Sequence, residues 1–296
     1  GPFQEQDYSV ARACIARRVH YIDLADGRKF VSRFTELNYQ ARDAGVCAIS
    51  GASTLPGLSS AVVEDLANDI ETVEEIEIGI APGNRNLPGE ASIAAVLSYA
   101  GQPIRTLSNG RWSTLHGWQH LRRYAFKHFG ATLVPARWFA LCDVPDLQLL
   151  PTRYTSLRTL MFRAGLELPR MQFGMWAGAW LVRRGLIKNL DRFRGFFARS
   201  ARRLESQGSD CGGMYVEVKG HDAAGQRCVK TWALVAKSGH GPTIPAIPSV
   251  ILARRIARGA VPGVGARACL GLFTLREFEA AVSDLDIVMW REDRNA

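Results

Sequence analysis

Val19-His20-Tyr21-Ile22-Asp23-Leu24 and Val46-Cys47-Ala48-Ile49-Ser50 are the two stretches on which the reading of the fold turns. Each is a short apolar run with polar or small residues at its ends, as expected of a strand buried on both faces. Between them Phe30, Phe34, Leu37 and Ala41 recur at helical spacing, and Gly45 supplies the stop. Strand, helix and strand joined by short links form a crossover unit, and such units build parallel sheets. Working outward, Asp7 to Arg18 reads as a helix that precedes the first strand. Gly51-Ala52-Ser53-Thr54-Leu55-Pro56-Gly57 reads as a loop that leads into a helix from about Ser59 to Ile70. A parallel sheet of two strands leaves an apolar edge open, so either more chain or a second chain is expected to complete it.

Beyond residue 72 the pattern changes. Glu75-Ile76-Glu77-Ile78-Gly79-Ile80 alternates, as a half-buried strand does. Glu90 to Ala100 follows Pro88-Gly89 and reads as a helix. Leu115 to Phe129 is expected to be another, with Leu121, Ala125 and Phe129 on one face. Gly213 to Lys219 and Arg227 to Lys237 read as a hairpin closed by Asp222-Ala223-Ala224-Gly225. Helices are expected at Pro248 to Ala257 and Leu275 to Val282, with a closing strand at Leu285 to Trp290. This divides the chain into a parallel-sheet domain, 1–72, and a mixed α+β domain, 73–296.

The chain has 296 residues, of which 47% are hydrophobic and 22% charged, enough for a substantial core. The first residues have no basic and apolar leader, and no run of eighteen apolar residues occurs, so a cytoplasmic protein is expected. No two of the six cysteines are close enough to form a metal knuckle or redox pair, and they read as reduced core thiols. The net charge of +9 is concentrated: Pro151 to Leu204 holds twelve Lys and Arg against Glu167 and Asp191. Within it, residues 171–204 interleave Phe173, Trp176, Trp180, Phe193, Phe196 and Phe197 with arginines. Three readings of this segment rank in order: a helical excursion packed on the core or on a second subunit, a membrane-surface contact, and last a nucleic-acid contact.

Five features are weighed as candidate sites. Asp23 closes a strand, where ligands of parallel sheets sit, and it could equally cap the next helix or hold the turn with Asp26-Gly27. Ser53, Thr54, Pro56 and Gly57 precede a helix N-terminus, whose free N–H groups either bind an anion or are simply capped. His240, in Ser238-Gly239-His240-Gly241-Pro242, is the candidate proton-transfer residue; the same glycines would also serve a tight turn with no chemistry. His116 and His120 are four apart, a metal spacing on a helix, but the general-base Glu of a metalloprotease is absent, and a polar helix face is the preferred reading with no metal. Gly263-Val264-Gly265-Ala266-Arg267-Ala268 has the form of a dinucleotide fingerprint, but Pro262 precedes it and no apolar strand leads into it. A glycine-rich surface turn is expected there.

The opening Gly1-Pro2-Phe3, the helix with Ala11, Ala13 and Cys14, His20-Tyr21-Ile22-Asp23-Leu24 and the small-residue loop ending Pro56-Gly57-Leu58-Ser59 together resemble the saccharopine dehydrogenase-like family of NAD(P)-dependent oxidoreductases. Asp143-Val144-Pro145-Asp146 and the hairpin followed by Gly239-His240-Gly241-Pro242 keep the family's order. The resemblance implies an α/β protein: the C-terminal half of a Rossmann-like parallel sheet, followed by a mixed α+β second domain. It implies NAD or NADP as cofactor, a small-molecule substrate and hydride transfer. It places Gly1 and Pro2 beside the nicotinamide ribose. The G-x-G-x-x-G strand–turn–helix that grips the pyrophosphate would lie before Gly1, so this chain is expected to hold its cofactor poorly. A homo-oligomer is a further expectation. The competing reading is a non-catalytic binding or membrane-surface module that keeps the fold.

Overall fold

A computed structural model describes residues 3–86 and 88–295; Gly1 and Pro2 lie outside the described residues. In chain order the strands are β1 Tyr21–Ile22, β2 Cys47–Ser50, β3 Thr72–Ala81, β4 Pro103–Ser108, β5 Arg111–His116, β6 Arg122–His128, β7 Ala131–Leu141, β8 Thr159–Gly165, β9 Gly212–His221, β10 Arg227–Ala236, β11 Gly265–Ala268 and β12 Ile287–Asn295. The helices are α1 Ser9–Ala16, α2 Arg28–Ser32, α3 Asn38–Asp43, α4 Ser59–Ala67, α5 Glu90–Tyr99, α6 Asp146–Arg153, α7 Pro169–Arg183, α8 Arg194–Leu204, α9 Ile247–Ala257 and α10 Leu275–Ala281. The protein is a mixed α/β structure that divides into two compact units. The first comprises Gly1–Asp65, Val144–Thr152 and Thr243–Asp284; the second comprises Leu66–Asp143, Arg153–Pro242 and Leu285–Ala296. A single break near residue 72 does not describe this division, because the chain returns twice to the first unit.

The first return brings Asp146 and Leu149; the second brings a strand. The parallel sheet of the first unit has the order β1-β2-β11, with Gly265 opposite Cys47 and Ala268 opposite Ser50. The Gly263 to Ala268 string is therefore not a surface turn. Half of it is a strand, and Ala266 is buried. Its glycine answers a packing demand: a Cβ on Gly265, at φ +117°, would lie 2.3 Å from Asn38 Oδ1, the atom that accepts the Ala266 N–H at 3.1 Å. β11 also covers the edge of β2 that two strands alone would leave open. Phe30, Phe34, Leu37 and Ala41 fall on one buried face, as their spacing requires, although the helix is broken into α2, a 3-10 turn at Phe34–Leu37 and α3. They pack with Ala11 and Ile15 of α1 and with Val46, Ala48 and Ala266. Tyr21 stacks on Phe34 at 5.8 Å, and Tyr8 meets Phe30 and Phe34 edge-on.

The second unit is built on a seven-stranded sheet of order β12-β10-β9-β3-β8-β7-β6. β3 and β8 are parallel and the other neighbours antiparallel. The expected hairpin is β9–β10, and Asp222 Oδ1 accepts the N–H groups of Ala224 and Gln226 at 2.9 Å to close its turn. Leu115 to Phe129 is not a helix. The chain turns between β5 and β6, with Trp118 and His120 at positive φ. The period that matters here is two: Tyr124, Phe126 and His128 share a face of β6. Tyr124 stacks on Tyr215 at 3.9 Å, and His128 lies 5.0 Å from Trp290 of β12. Tertiary stacking partners on distant strands outweigh a local pattern that also fits a helix. The stripe His116, His120, Tyr124 and His128 falls on the end of β5, a turn and β6 and not on one helix, and the described residues hold no group of three or more His, Cys, Asp or Glu that could bind a metal.

Arg137 laces one end of this sheet. It is buried, donates to the carbonyls of Ala81, Pro82 and Cys211 at 2.9–3.1 Å, and pairs with Glu167 at 2.9 Å. Glu167 in turn accepts from the N–H groups of Asn84 and Ser209. Removing one partner of such a pair strands the other without water. Arg137→Ala is expected to cost about 3–5 kcal/mol, read as a fall in the urea midpoint with unchanged slope; a loss under about 1 kcal/mol would refute this role for Arg137.

Candidate functional site

The carboxyl ends of parallel strands gather loops where ligands bind in open α/β sheets. In the first unit three such ends lie side by side: β1 running into Asp23, β2 into the loop 51–58, and β11 into Cys269. The ladder extends past the strands, since Asp23 N–H bonds Ile49 O, Ala52 N–H bonds Asp23 O and Cys269 N–H bonds Ser50 O.

Asp23 ties these ends together. Its Oδ1 accepts from Ala25 N at 2.9 Å, Gly51 N at 2.8 Å and Ser50 Oγ at 3.0 Å. Of the sequence readings of Asp23, the hold on its own turn is seen at this atom, which also holds the mouth of the neighbouring loop; Asp23 does not cap α2. Its Oδ2 is buried and has no hydrogen-bond partner among the described residues. Burial pushes the Asp23 carboxyl above its ordinary range despite the N–H groups that oppose the shift. Burial and the carboxylate also push the adjacent Tyr21 phenol up.

The loop 51–58 is compact. The Leu55–Pro56 peptide is cis, and Ser53, Pro56 and Gly57 are buried. Leu58 N–H bonds Ser53 O at 3.1 Å, and Ser60 Oγ bonds Gly57 O at 2.9 Å. The Ser53 side chain does not cap the segment that follows it. Gly57 is a point of close approach: a Cβ there would sit 3.3 Å from Pro248 Cβ and 3.4 Å from Cys269 Sγ. The Cys269 thiol, enclosed by this packing, is pushed up to about 12 by burial, which suits a core thiol and not a nucleophile.

Asp146 escaped the sequence reading as a site residue. It opens α6, is fully buried, and accepts a hydrogen bond from Ser59 Oγ at the start of α4. Its Oδ2 has no partner among the described residues, and burial raises its pKa from 3.8 to about 6. The only sequence signal was an acid placed just after Pro145, at a helix start. That its partner would be Ser59 was not legible.

The structure therefore brings Asp23, Ser53, Pro56 and Gly57 together in one unit. His240 belongs to the other. It stands in the turn after β10, where its Nδ1 accepts the Asp286 N–H at 2.8 Å and Ser238 Oγ donates to Asp286 Oδ2 at 2.7 Å. Nδ1 is thus engaged in holding the turn, and Nε2 is the nitrogen that carries the proton of the neutral ring.

No protein-family model and no curated protein matches the chain. Among solved structures it is similar to apo histidine-tagged saccharopine dehydrogenase (L-Glu forming) from Saccharomyces cerevisiae, with a TM-score of 0.63 and 12% identity over 98% of this chain and 84% of that one. A second similarity, to the Bacillus subtilis protein yvaA, has a TM-score of 0.29 and 11% identity over 93% of this chain and 73% of that one, and carries no argument. The first similarity shows the fold. The chain has a saccharopine dehydrogenase-like architecture, in agreement with the resemblance carried by its first residues.

Two measurements check the site. Asp23→Ala strands three donors, two of them backbone N–H groups, and is expected to cost on the order of 3 kcal/mol; Asp23→Asn, which keeps an acceptor, should cost less than half of that. A pair of equal losses would show that Oδ1 is not the clamp. Asp146 has a folded pKa above its unfolded one, so the folded state binds the extra proton, and stability is lost as pH rises from about 4 through about 6. In Asp146→Asn this part of the fall, about 3 kcal/mol, should vanish. Denaturation at a series of pH values reads it, and parallel profiles for the two proteins would contradict the assignment.

Proposed function

We propose that this chain acts as an NAD(P)-dependent oxidoreductase on a small molecule, with the cofactor at the carboxyl edge of β1, β2 and β11. The observation that carries the reading is the Asp23 clamp. It fixes the ends of two parallel strands and leaves a carboxylate oxygen without a partner, at the edge where sheets of this kind take nucleotides. The similarity in fold to a saccharopine dehydrogenase supports it.

The residues present fit one end of a dinucleotide. Asp23, whose Oδ2 accepts no hydrogen bond among the described residues, is proposed to accept from a cofactor hydroxyl, and the small residues Ser53, Pro56 and Gly57 of the adjoining loop are proposed to border the ring. Gly1 and Pro2 belong to the proposal by resemblance alone. A nicotinamide, when bound, donates or accepts the hydride. The chain's own part is to place it, exclude water and move a proton, and His240 is the proposed proton carrier through Nε2. Among the described residues no strand–turn–helix unit carries a glycine-rich phosphate loop, since Gly263 to Ala268 is half strand. The pyrophosphate grip is therefore the weakest part of the site that this chain can build.

Calorimetric titration of NADH and NADPH into this chain tests the proposal. One of the two is expected to bind, and Asp23→Asn to weaken that binding by about tenfold. Failure to bind either nucleotide would overturn the reading.

A further inference from the structure

The second unit carries a helix that is apolar on two faces. On α7, Gln172, Met175, Ala179 and Val182 are buried. Phe173, Ala177 and Leu181, spaced four apart, form a second stripe, with Phe173 40% and Leu181 36% exposed and the half-buried Trp176 and Trp180 beside them. Beyond the helix Leu186 is 65% exposed, and on α8 Phe196 is 60% exposed. Cations surround these side chains. Arg183, Arg184, Lys188, Arg192, Arg199, Arg202 and Arg203 are all exposed, and the Arg184 guanidinium lies 5.0 Å above the Trp180 ring. The one acid of residues 169–204, Asp191, is already paired with Arg194 at 2.6 Å.

We infer that the exposed face of α7, with the basic segment that follows it, docks on the surface of a bilayer rich in anionic phospholipid. An apolar stripe rimmed by arginine and bearing tryptophan matches the boundary between headgroups and acyl chains: the rings and Leu181 enter the apolar side, and the guanidinium groups reach back to phosphate. The helix lies in the surface and does not cross it. Fifteen residues reach about 22 Å, short of the ~30 Å apolar layer, and no helix among the described residues is long and apolar enough to span. A second copy of this chain fits the face less well. A two-fold contact sets the same patch against itself, so these arginines would meet arginines with no free acid between them. Nucleic acid would satisfy the charge but leave Ala177, Leu181 and Leu186 without an apolar partner.

Vesicle sedimentation tests the inference, with one vesicle of equal parts phosphatidylglycerol and phosphatidylcholine and one of phosphatidylcholine alone. The chain is expected to sediment with the first at low salt, to leave it at about 0.5 M salt, and not to bind the second. At about fivefold per charge near such a surface, the pair R183E/R184E should weaken binding by at least about fiftyfold; Leu181→Ser should weaken it about tenfold. If Leu181→Ser lowers the thermal midpoint, the two exposed arginines decide the matter alone. No sedimentation at low salt, equal binding to both vesicles, or binding indifferent to R183E/R184E would each overturn the inference. So would a dimer in light scattering that Leu181→Ser dissociates, or a gel shift of duplex DNA without vesicle binding. Cofactor titration is independent of all these outcomes.

Discussion

β2 is a strand of four residues, Cys47–Ser50, all buried, and a buried strand must find hydrogen-bond partners along both edges. β1 supplies one edge from nearby in the sequence. The other comes from β11, which the chain reaches only after it has built most of the second unit. That requirement explains why the chain returns to the first unit at Thr243–Asp284, the segment that carries β11. It also explains Gly265, which lets the returning strand lie close against Asn38. The loops after β1, β2 and β11 lie side by side because parallel strands present their carboxyl ends on one edge.

At that edge the structure spends two buried carboxylates. Asp23 and Asp146 each leave an oxygen without a partner, and burial raises the pKa of each. Carboxylates placed this way cost stability at neutral pH. Asp23 returns part of that cost by ordering two strand ends at once. Asp146 joins the starts of α4 and α6 through Ser59. Uncompensated polar groups in a well-packed core concentrate where function constrains the residue choice, and these two flank the loop that carries Ser53, Pro56 and Gly57.

The second unit follows a different economy. One face of its sheet carries a run of charges, with Glu77 bonded to Tyr215, Arg163 and Arg122, and Lys219 bridging Glu75 and Glu217. These charges are mutually satisfied. Tyr124, Phe126, Phe139 and Tyr215 fill the space beside them with rings in edge and stacked contacts. Polar satisfaction on the sheet contrasts with α7, where both faces are apolar and Phe173 and Leu181 of the second stay exposed, Phe173 touching Trp138 by one edge.

By itself the sequence determined the elements whose partners are near in the chain. The β1–helix–β2 crossover, the buried set Phe30, Phe34, Leu37 and Ala41, the β9–β10 hairpin with its Asp222 turn, and Asp23 at a strand end were all legible because spacing and turn chemistry are local. Tertiary structure alone decided the rest. Gly265-Ala266-Arg267-Ala268 has no β-branched residue and no alternation, and it becomes a strand only because β2 has an edge to fill. Residues 122–128 satisfy a helical and a strand period equally, and Tyr215 and Trp290, far along the chain, choose the strand. The partner of Asp146 and the three donors to Asp23 Oδ1 also depend on contacts between distant segments. A pattern fixes which face a side chain can take, but only the folded chain supplies the group that it meets there.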